Sequence, residues 1–358
     1  MPMSLDDLLN SPGEWLQLGG PLNDVVISSR IRLARNLAGF PFLTKASSSQ
    51  RSDIERTLFE AISASHFGQN TFYVEMDKSE PLDRQFLVER HLISRQHAEG
   101  EGTRGVAIGA SETFALMINE EDHLRIQVLR RGMNLDDAWK ETAQVDAALE
   151  SLIDFSYHKQ YGYLTACPTN VGTGLRVSVM LHLPALKLTN ELEKVFRAAK
   201  DMRLAVRGLY GEGTDALGDF FQVSNQTTLG QSEEEILAGF KAHVIPSIVK
   251  YEQEARRVLK THKLTALDDR VWRALGVLEN ARAISSEEAL FLLSHLRMGV
   301  LLERIKNIDL DAINELFIAT QSAHLQKRHG QKLDGEQRSI ARAEYIRDRL
   351  GRCRPSNN

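Results

Sequence analysis

Four short segments of this chain carry residue types suited to handling a polyphosphate. S-S-R-I-R at 28–32 supplies Arg30 and Arg32, and I-N-E-E-D-H-L-R at 118–125 supplies Glu120, Glu121 and Arg125. C-P-T-N-V-G-T-G-L-R at 167–176 supplies Cys167 and Arg176, and R-G-L-Y-G-E at 207–212 supplies Arg207 and Glu212. A guanidinium is a planar fork of donors that matches phosphate oxygens in pairs, whereas lysine offers only a point charge. Carboxylates at Glu121 and Glu212 suit the opposite task of holding a cation. If the segments converge, they make a site that grips a polyphosphate on one side and a cation on the other.

The elements that would position these residues follow from periodicity. Val25, Val26 and Ile27 start a β-branched run, so Arg30 and Arg32 at i and i+2 share one face of a strand with Ile31 on the other. Apolar residues at 114–118, then alternation of Leu124, Ile126 and Val128, predict two antiparallel strands joined through 119–123. That reading puts Glu121, His123, Arg125 and Gln127 on one polar face. Arg176 opens a strand in which Val177, Val179 and Leu181 alternate inward, and a short strand over 204–206 ends at Arg207. Gly172 and Gly174 would let backbone N–H groups approach an anion. Helical spacing is expected over 52–65, 83–96, 136–157 and 188–200. From Ser232, whose capping box with Glu235 opens a helix, the chain turns helical, with segments over 265–282, 285–306, 309–328 and 334–350.

Whole-chain properties bound the reading. At 358 residues the chain exceeds one typical core, and its fold class reads as α+β with about two domains. A net charge of −4 argues against non-specific nucleic-acid binding, so any basic site must be local. Two cysteines, Cys167 and Cys353, make neither a disulfide framework nor a zinc site, and they suit a reducing cytoplasm. The start of the chain lacks a signal-peptide pattern, and no apolar run reaches membrane-spanning length. G-x-G-x-x-G at Gly100, Gly102 and Gly105 precedes a strand rather than following one, so it reads as a loop and not as a dinucleotide fingerprint. Walker A and the H-R-D and D-F-G elements of protein kinases are absent.

In their order and separation, the four segments resemble the catalytic domain of the phosphagen (guanidino) kinases, over roughly residues 23–254. R-G-L-Y-G-E-G-T, V-S-N-Q-T-T-L-G and a helical domain that follows the catalytic one are similar to the branch of the family that phosphorylates arginine in proteins. The resemblance implies a large antiparallel sheet flanked by helices over the catalytic domain, followed by the helical domain; turn signals and residue pattern bound the rest as a leader at 1–22, an all-helical domain over 255–350 and a disordered tail at 351–358. It implies ATP and Mg²⁺ as cofactors and protein arginine as acceptor. It further implies an activator protein, the Clp protease machinery and a homodimer as partners, and the cytoplasm as location.

The same resemblance carries roles to particular positions. Arg30, Arg32, Arg125, Arg176 and Arg207 would surround the nucleotide phosphates. Ser28, Ser29 and Ile31, the run Val177, Ser178, Val179 and Met180, the run Gly208, Leu209, Tyr210 and Gly211, and His91 would complete the nucleotide site. Glu121 and Glu212 would hold the guanidinium, with Glu212 also in the nucleotide loop, and Cys167 would lie beside the substrate. R-S-I-A-R-A at 338–343 is similar to an R-D-x-x-R-A phosphoarginine pocket, with Arg338 kept and Ser339 in place of aspartate. Two other readings stay open at this point: a kinase of free arginine or another small guanidino compound, and a phosphoarginine-binding or protease adaptor with secondary catalysis.

Overall fold

The computed structural model describes residues 5–10, 12–209 and 217–352. Its centre is an eight-stranded antiparallel sheet. The strands are β1 (Val26–Arg35), β2 (Thr71–Glu75), β3 (Gly105–Gly109), β4 (Phe114–Ile118), β5 (Leu124–Arg131), β8 (Leu175–His182), β9 (Leu204–Arg207) and β10 (Phe220–Asn225). Two short strands, β6 (Tyr157–His158) and β7 (Gly162–Tyr163), form a separate hairpin. The order β2-β3-β4-β5-β1-β8-β10-β9 puts β1 in the middle, between β5 and β8. Three of the four arginine-bearing segments are therefore adjacent.

Period 2 along these strands divides the residues between two faces. One face carries Ile31, Leu33, Ile126, Val128, Val177, Val179 and Val223 into the main apolar core. The other presents Arg30 opposite Ser178, Arg32 opposite Gln127 and Arg176, and Arg207 opposite Gln222. Gly174 fits where β8 begins because its φ is +67° and a Cβ there would meet the Ala34 carbonyl oxygen at 2.7 Å.

Helices α1 (Ser48–Ala64), α2 (Pro81–Glu89), α3 (Arg95–Glu99), α4 (Leu135–Glu150), α5 (Pro184–Leu188), α6 (Leu192–Asp201), α7 (Glu233–Gly239) and α8 (Ile245–His262) flank the sheet. The C-terminal helices are α9 (Leu264–Asn280), α10 (Ser286–Leu301), α11 (Leu310–Ala319), α12 (Ser322–His329) and α13 (Gly335–Gly351). α8 runs through 254–255 unbroken, and the backbone leaves helical geometry at Lys263. Among the described residues no helix is long and apolar enough to cross a membrane.

Several helices are shorter than periodicity alone suggests: the one expected over 188–200 starts only at Leu192, the one over 285–306 ends at Leu301, and three others are cut or divided. The segment over 83–96 is two helices, because α2 ends at Glu89 and Ser94 caps α3 through His97 N at 3.0 Å. The segment over 136–157 stops at Glu150, and the chain after it bridges back to Leu37 through Phe155. The segment over 309–328 divides at Thr320 and Gln321. Residues before Val26 are also more than a leader: Leu8, Trp15 and Leu16 are buried in the cores.

The helical domain packs onto the sheet domain through one continuous core. Its central helix, α10, is buried on almost all sides. Polar anchors fix the seam: Arg297 donates to the carbonyls of Asn23 (2.9 Å) and Asp24 (3.2 Å), and Ser294 donates to Asp219 Oδ2 at 2.6 Å. A Cβ built on Gly299 would overlap Val271 Cγ1 across the α9–α10 contact. Val271 is β-branched and cannot rotate away freely. Gly299→Ala is therefore expected to destabilise the protein by roughly 1–3 kcal/mol despite alanine's better helix propensity, read as a lower denaturation midpoint in urea.

Candidate active site

The segment 118–125 uses nearly every side chain to build the site. Asn119 adopts φ 59°, and its Nδ2 holds the carbonyls of Arg51 and Thr103, each at 2.9 Å, which fixes the turn after β4. Glu120 is buried and anchors Arg125 through Nη1 at 2.7 Å, while Ser94 Oγ donates to it at 2.5 Å. Asp122 accepts from Asn36 Nδ2 and Ala166 N, both at 2.6 Å, and so places the strip that leads to Cys167. Glu121, between these two tethered carboxylates, lines the cleft beside Glu120, and Arg125 Nη2 meets it at 3.1 Å.

His123 departs from the expected polar face. It precedes β5, is fully buried, accepts from Leu37 N at 3.0 Å and lies 3.0 Å from the Pro41 carbonyl. It secures the backbone after β1, and only Glu121 and Arg125 of that expected face line the cleft. Gln127 lies beneath, donating to the His91 carbonyl at 2.7 Å.

The cleft has a volume of about 630 Å³, and Arg30, Arg32, Arg125, Arg176 and Arg207 all line it, together with His91, Glu120, Glu121 and Cys167. The five arginines thus come together. Arg30 is held by neutral groups, donating to Gln222 Oε1 at 2.6 Å and Ser178 Oγ at 3.2 Å. Arg176 donates to Ser224 Oγ at 3.3 Å. Arg32 has Nε and Nη2 shielded from solvent with no hydrogen-bond partner among the described residues. Burial, then repulsion from Arg176, Arg125 and Arg207, lowers the Arg30 guanidinium to about 9, and burial with Arg30 beside it lowers Arg32 well below its usual range. Unpaired buried N–H groups and crowded like charges both cost free energy until an anion arrives.

His91 closes one end. Its φ of 59° and the bonds Leu92 N to Leu87 O and His91 N to Val88 O, both 3.0 Å, end α2 in a Schellman-type turn with histidine where glycine is usual. The ring stands edge-on to Trp15 at 4.5 Å, and burial followed by Arg30 and Arg95 lowers its pKa to about 3, so it is neutral at pH 7. At the opposite end Cys167 Sγ lies 3.0 Å from Thr169 Oγ1. Burial is the largest cause raising the Glu121 carboxyl above its ordinary range; Glu120 and Asp122 add to it, and Arg125 and Arg176 oppose it.

Several motif neighbours do not present side chains to the cleft. Ser29 is buried on the far face, where Oγ donates to the Gly132 carbonyl at 2.8 Å and accepts from Asn134 N at 3.0 Å. Ile31, Val177 and Val179 lie in the apolar core. Ser28, Ser178 and Met180 belong to the cleft face, lining a small recess with Trp15, Arg30, His91 and Gln222, and Ser28 is on β1 rather than in a loop. Leu209 lines the cleft, and Gly208 follows β9. Tyr210, Gly211 and Glu212 lie outside the described residues. Arg338 and Ser339 lie on α13, far along the chain from the cleft, donating to the Leu333 carbonyl at 2.7 Å and the Gly335 carbonyl at 3.0 Å.

Sequence reasoning missed Gln222, Trp15 and the anchoring role of Glu120. Gln222 alternates with Phe221 and Val223 on β10, a period-2 signal that places it on the polar face. Trp15 carried no local signal.

Residues 53–255 match the ATP:guanido phosphotransferase C-terminal catalytic domain, and residues 264–358 match the protein-arginine kinase McsB C-terminal domain. The protein-arginine kinase of Halothermothrix orenii is 44% identical over 350 residues, which is 97% of this chain and 99% of that protein. The protein-arginine kinase of Symbiobacterium thermophilum is 48% identical over 342 residues, 94% and 96% of the two chains.

This chain belongs to the protein-arginine kinase family.

The protein-arginine kinase fold here is also similar to solved guanidino kinases. The duplicated taurocyamine kinase of Schistosoma mansoni, with bound transition state analog components, aligns with a TM-score of 0.59 and 28% identity. That alignment covers 71% of this chain and 36% of the duplicated one. Lombricine kinase aligns with a TM-score of 0.57 and 25% identity over 72% of this chain and 77% of its own. Family membership makes this protein-arginine kinase an ATP:guanido phosphotransferase, with ATP as phosphoryl donor.

Proposed function

We propose that this enzyme transfers the γ-phosphoryl group of MgATP to the guanidinium of arginine side chains in proteins. The supporting observation is the row of five arginines on one sheet face, with two Arg32 N–H groups buried and without a partner among the described residues, ending at Glu121 and Cys167. The arginines bind the phosphates and spread the charge of the transferring group, which needs positioning and electrostatic stabilisation above all. Mg²⁺ enters as part of the nucleotide: the described residues hold no group of three metal-ligating side chains, and Mg²⁺ commonly binds through substrate phosphates and water.

In the proposed reaction a terminal guanidinium nitrogen forms the N–P bond while the bond from the γ-phosphorus to the β-bridging oxygen breaks, leaving ADP. Glu121 and Glu212 hold the guanidinium by charge-assisted hydrogen bonds, and one of them accepts the proton that leaves nitrogen. Cys167 adds a third contact beside the acceptor. His91, Ser28, Ser178 and Met180 shape the nucleotide end.

The finer parts of the reading rest on resemblance to the protein-arginine kinases. They are a homodimer, an activator protein, delivery of phosphorylated proteins to Clp-type proteolysis, and a phosphoarginine site at Arg338 with Ser339 where the pattern has aspartate. The test of the central claim is incubation with MgATP and either an unstructured arginine-rich protein or free arginine, followed by mass spectrometry at neutral pH. Phosphoarginine on the protein is expected. Product from free arginine alone would move the enzyme to a small guanidino substrate and overturn the proposal.

A further inference from the structure

A buried polar cluster outside the cleft joins the helical domain to the nucleotide end of the site. Glu89 is the last residue of α2, and its carboxylate sits over the start of α12. It accepts from Ala323 N at 2.9 and 3.1 Å, from His324 N at 3.1 Å and from His324 Nδ1 at 2.8 Å. Arg90, fully buried, forms a two-pronged pair with Glu112, with Nε–Oε2 at 2.7 Å. Its Nη1 lies 3.4 Å from His324 Nε2.

These partners fix the His324 ring. Nδ1 carries the proton toward Glu89, so Nε2 faces Arg90 as an acceptor, and the imidazole is neutral. The residue after Arg90 is His91, in a left-handed conformation that a residue with a Cβ keeps only when its surroundings hold it there. The turn is held at three points: Glu89 to α12, Arg90 to Glu112 and His324, and the His91 carbonyl to Gln127. On the far side, Arg342 of α13 donates to the carbonyls of Thr320 (2.7 Å) and Ile284 (2.8 Å), fixing the turn from which α12 starts.

We infer that Glu89 and His324 are positioning residues for nucleotide binding: through them the helical domain holds the left-handed turn that aims His91 into the cleft. Neither side chain lines the cleft. The inference rests on the reading of His91 as a nucleotide contact. It predicts a specific kinetic signature, weaker ATP binding with phosphoryl transfer and protein-acceptor binding little changed, because the arginines and Glu121 are supported by other elements.

The test is a double-mutant cycle in the full chain, with His324→Phe crossed against His91→Ala and KM for ATP, kcat and KM for the protein acceptor measured. Phenylalanine keeps the ring that packs on Phe86, 4.4 Å between centroids, and deletes both nitrogens. His324→Phe alone is expected to raise KM for ATP roughly three- to tenfold, with kcat within about twofold. In the His91→Ala background the same change should add almost nothing, since residues acting through one group are not additive. His324→Asn, whose amide can replace the Nδ1 donor, should recover most of the affinity.

Equal effects of His324→Phe in both backgrounds would overturn the inference and leave the cluster a stabiliser of the fold. An unchanged KM for ATP in His324→Phe would overturn it as well. If His91→Ala itself leaves KM for ATP unchanged, the nucleotide role of His91 has failed, and this inference falls with it. Should His324→Phe show no cooperative melt, Glu89→Gln replaces it in the same cycle, because glutamine retains an acceptor for α12; the same outcomes decide.

Discussion

Arg32→Lys is expected to lower kcat/KM by about 10²–10³ while the folded enzyme without nucleotide becomes no less stable. Arg32 sits mid-row between Gln127 and Arg176, with two shielded nitrogens that nothing in the described protein satisfies. A phosphate oxygen pair would satisfy both. Lysine keeps the charge and loses the fork, so the loss tests geometry rather than net charge. The same residue weakens the empty protein: burial and then repulsion from Arg30, Arg125 and Arg176 oppose its charge. Arg32→Met removes a poorly compensated cation and should raise the denaturation midpoint without nucleotide, by roughly 1 kcal/mol or more. MgATP normally offsets that cost by binding only the folded state, so the nucleotide-dependent rise in melting temperature should shrink or vanish in Arg32→Met. Opposite signs for stability and activity are the distinctive result. A variant that loses both together would show that Arg32 is mainly structural.

The residues that could be read from the sequence were those governed by period 2. Arg30 and Arg32 share a face because they are two apart on β1, and Arg176 falls opposite Arg32 because β8 pairs with β1 in that register. The same period explains what motif contiguity obscures. Ser29, Ile31, Val177 and Val179 lie inside the motifs, yet alternation sends their side chains to the core. Helix ends were less legible because apolar spacing continues through breaks imposed by tertiary contacts. At Glu89 the helix stops where its carboxylate and the Arg90 guanidinium find partners on β4's flank and on α12, contacts separated by 22 to 235 residues in the chain. His91 holds a position that local rules assign to glycine, and no local rule foretells it. Trp15 is similar: a tryptophan in a segment of short turns reads as peripheral until the ring is found against His91.

Glu121→Gln is expected to cost about 10²–10³ in kcat/KM for the protein acceptor, with KM for ATP little changed. The pH dependence separates a proton-accepting carboxylate from a merely polar one. Glu121 is half-buried beside Glu120 and Asp122, and its carboxyl is raised above the ordinary 4.5 despite Arg125 and Arg176. Activity needs the ionised form, to hold a guanidinium and to take its proton. As pH falls, Glu121 gains a proton earlier than a free glutamate would, so the acid limb of kcat/KM should lie above pH 4.5. A bound guanidinium favours the carboxylate, so the limb in kcat should shift to lower pH than the limb in kcat/KM. Glu121→Asp should retain a limb at reduced rate, and Glu121→Gln should lose it, with ADP release as the readout. If Glu121→Gln keeps the wild-type acid limb, the titrating group lies elsewhere. The remaining candidate carboxylate would then be Glu212, and Glu121 would be reduced to orienting the acceptor through hydrogen bonds that an amide can also make.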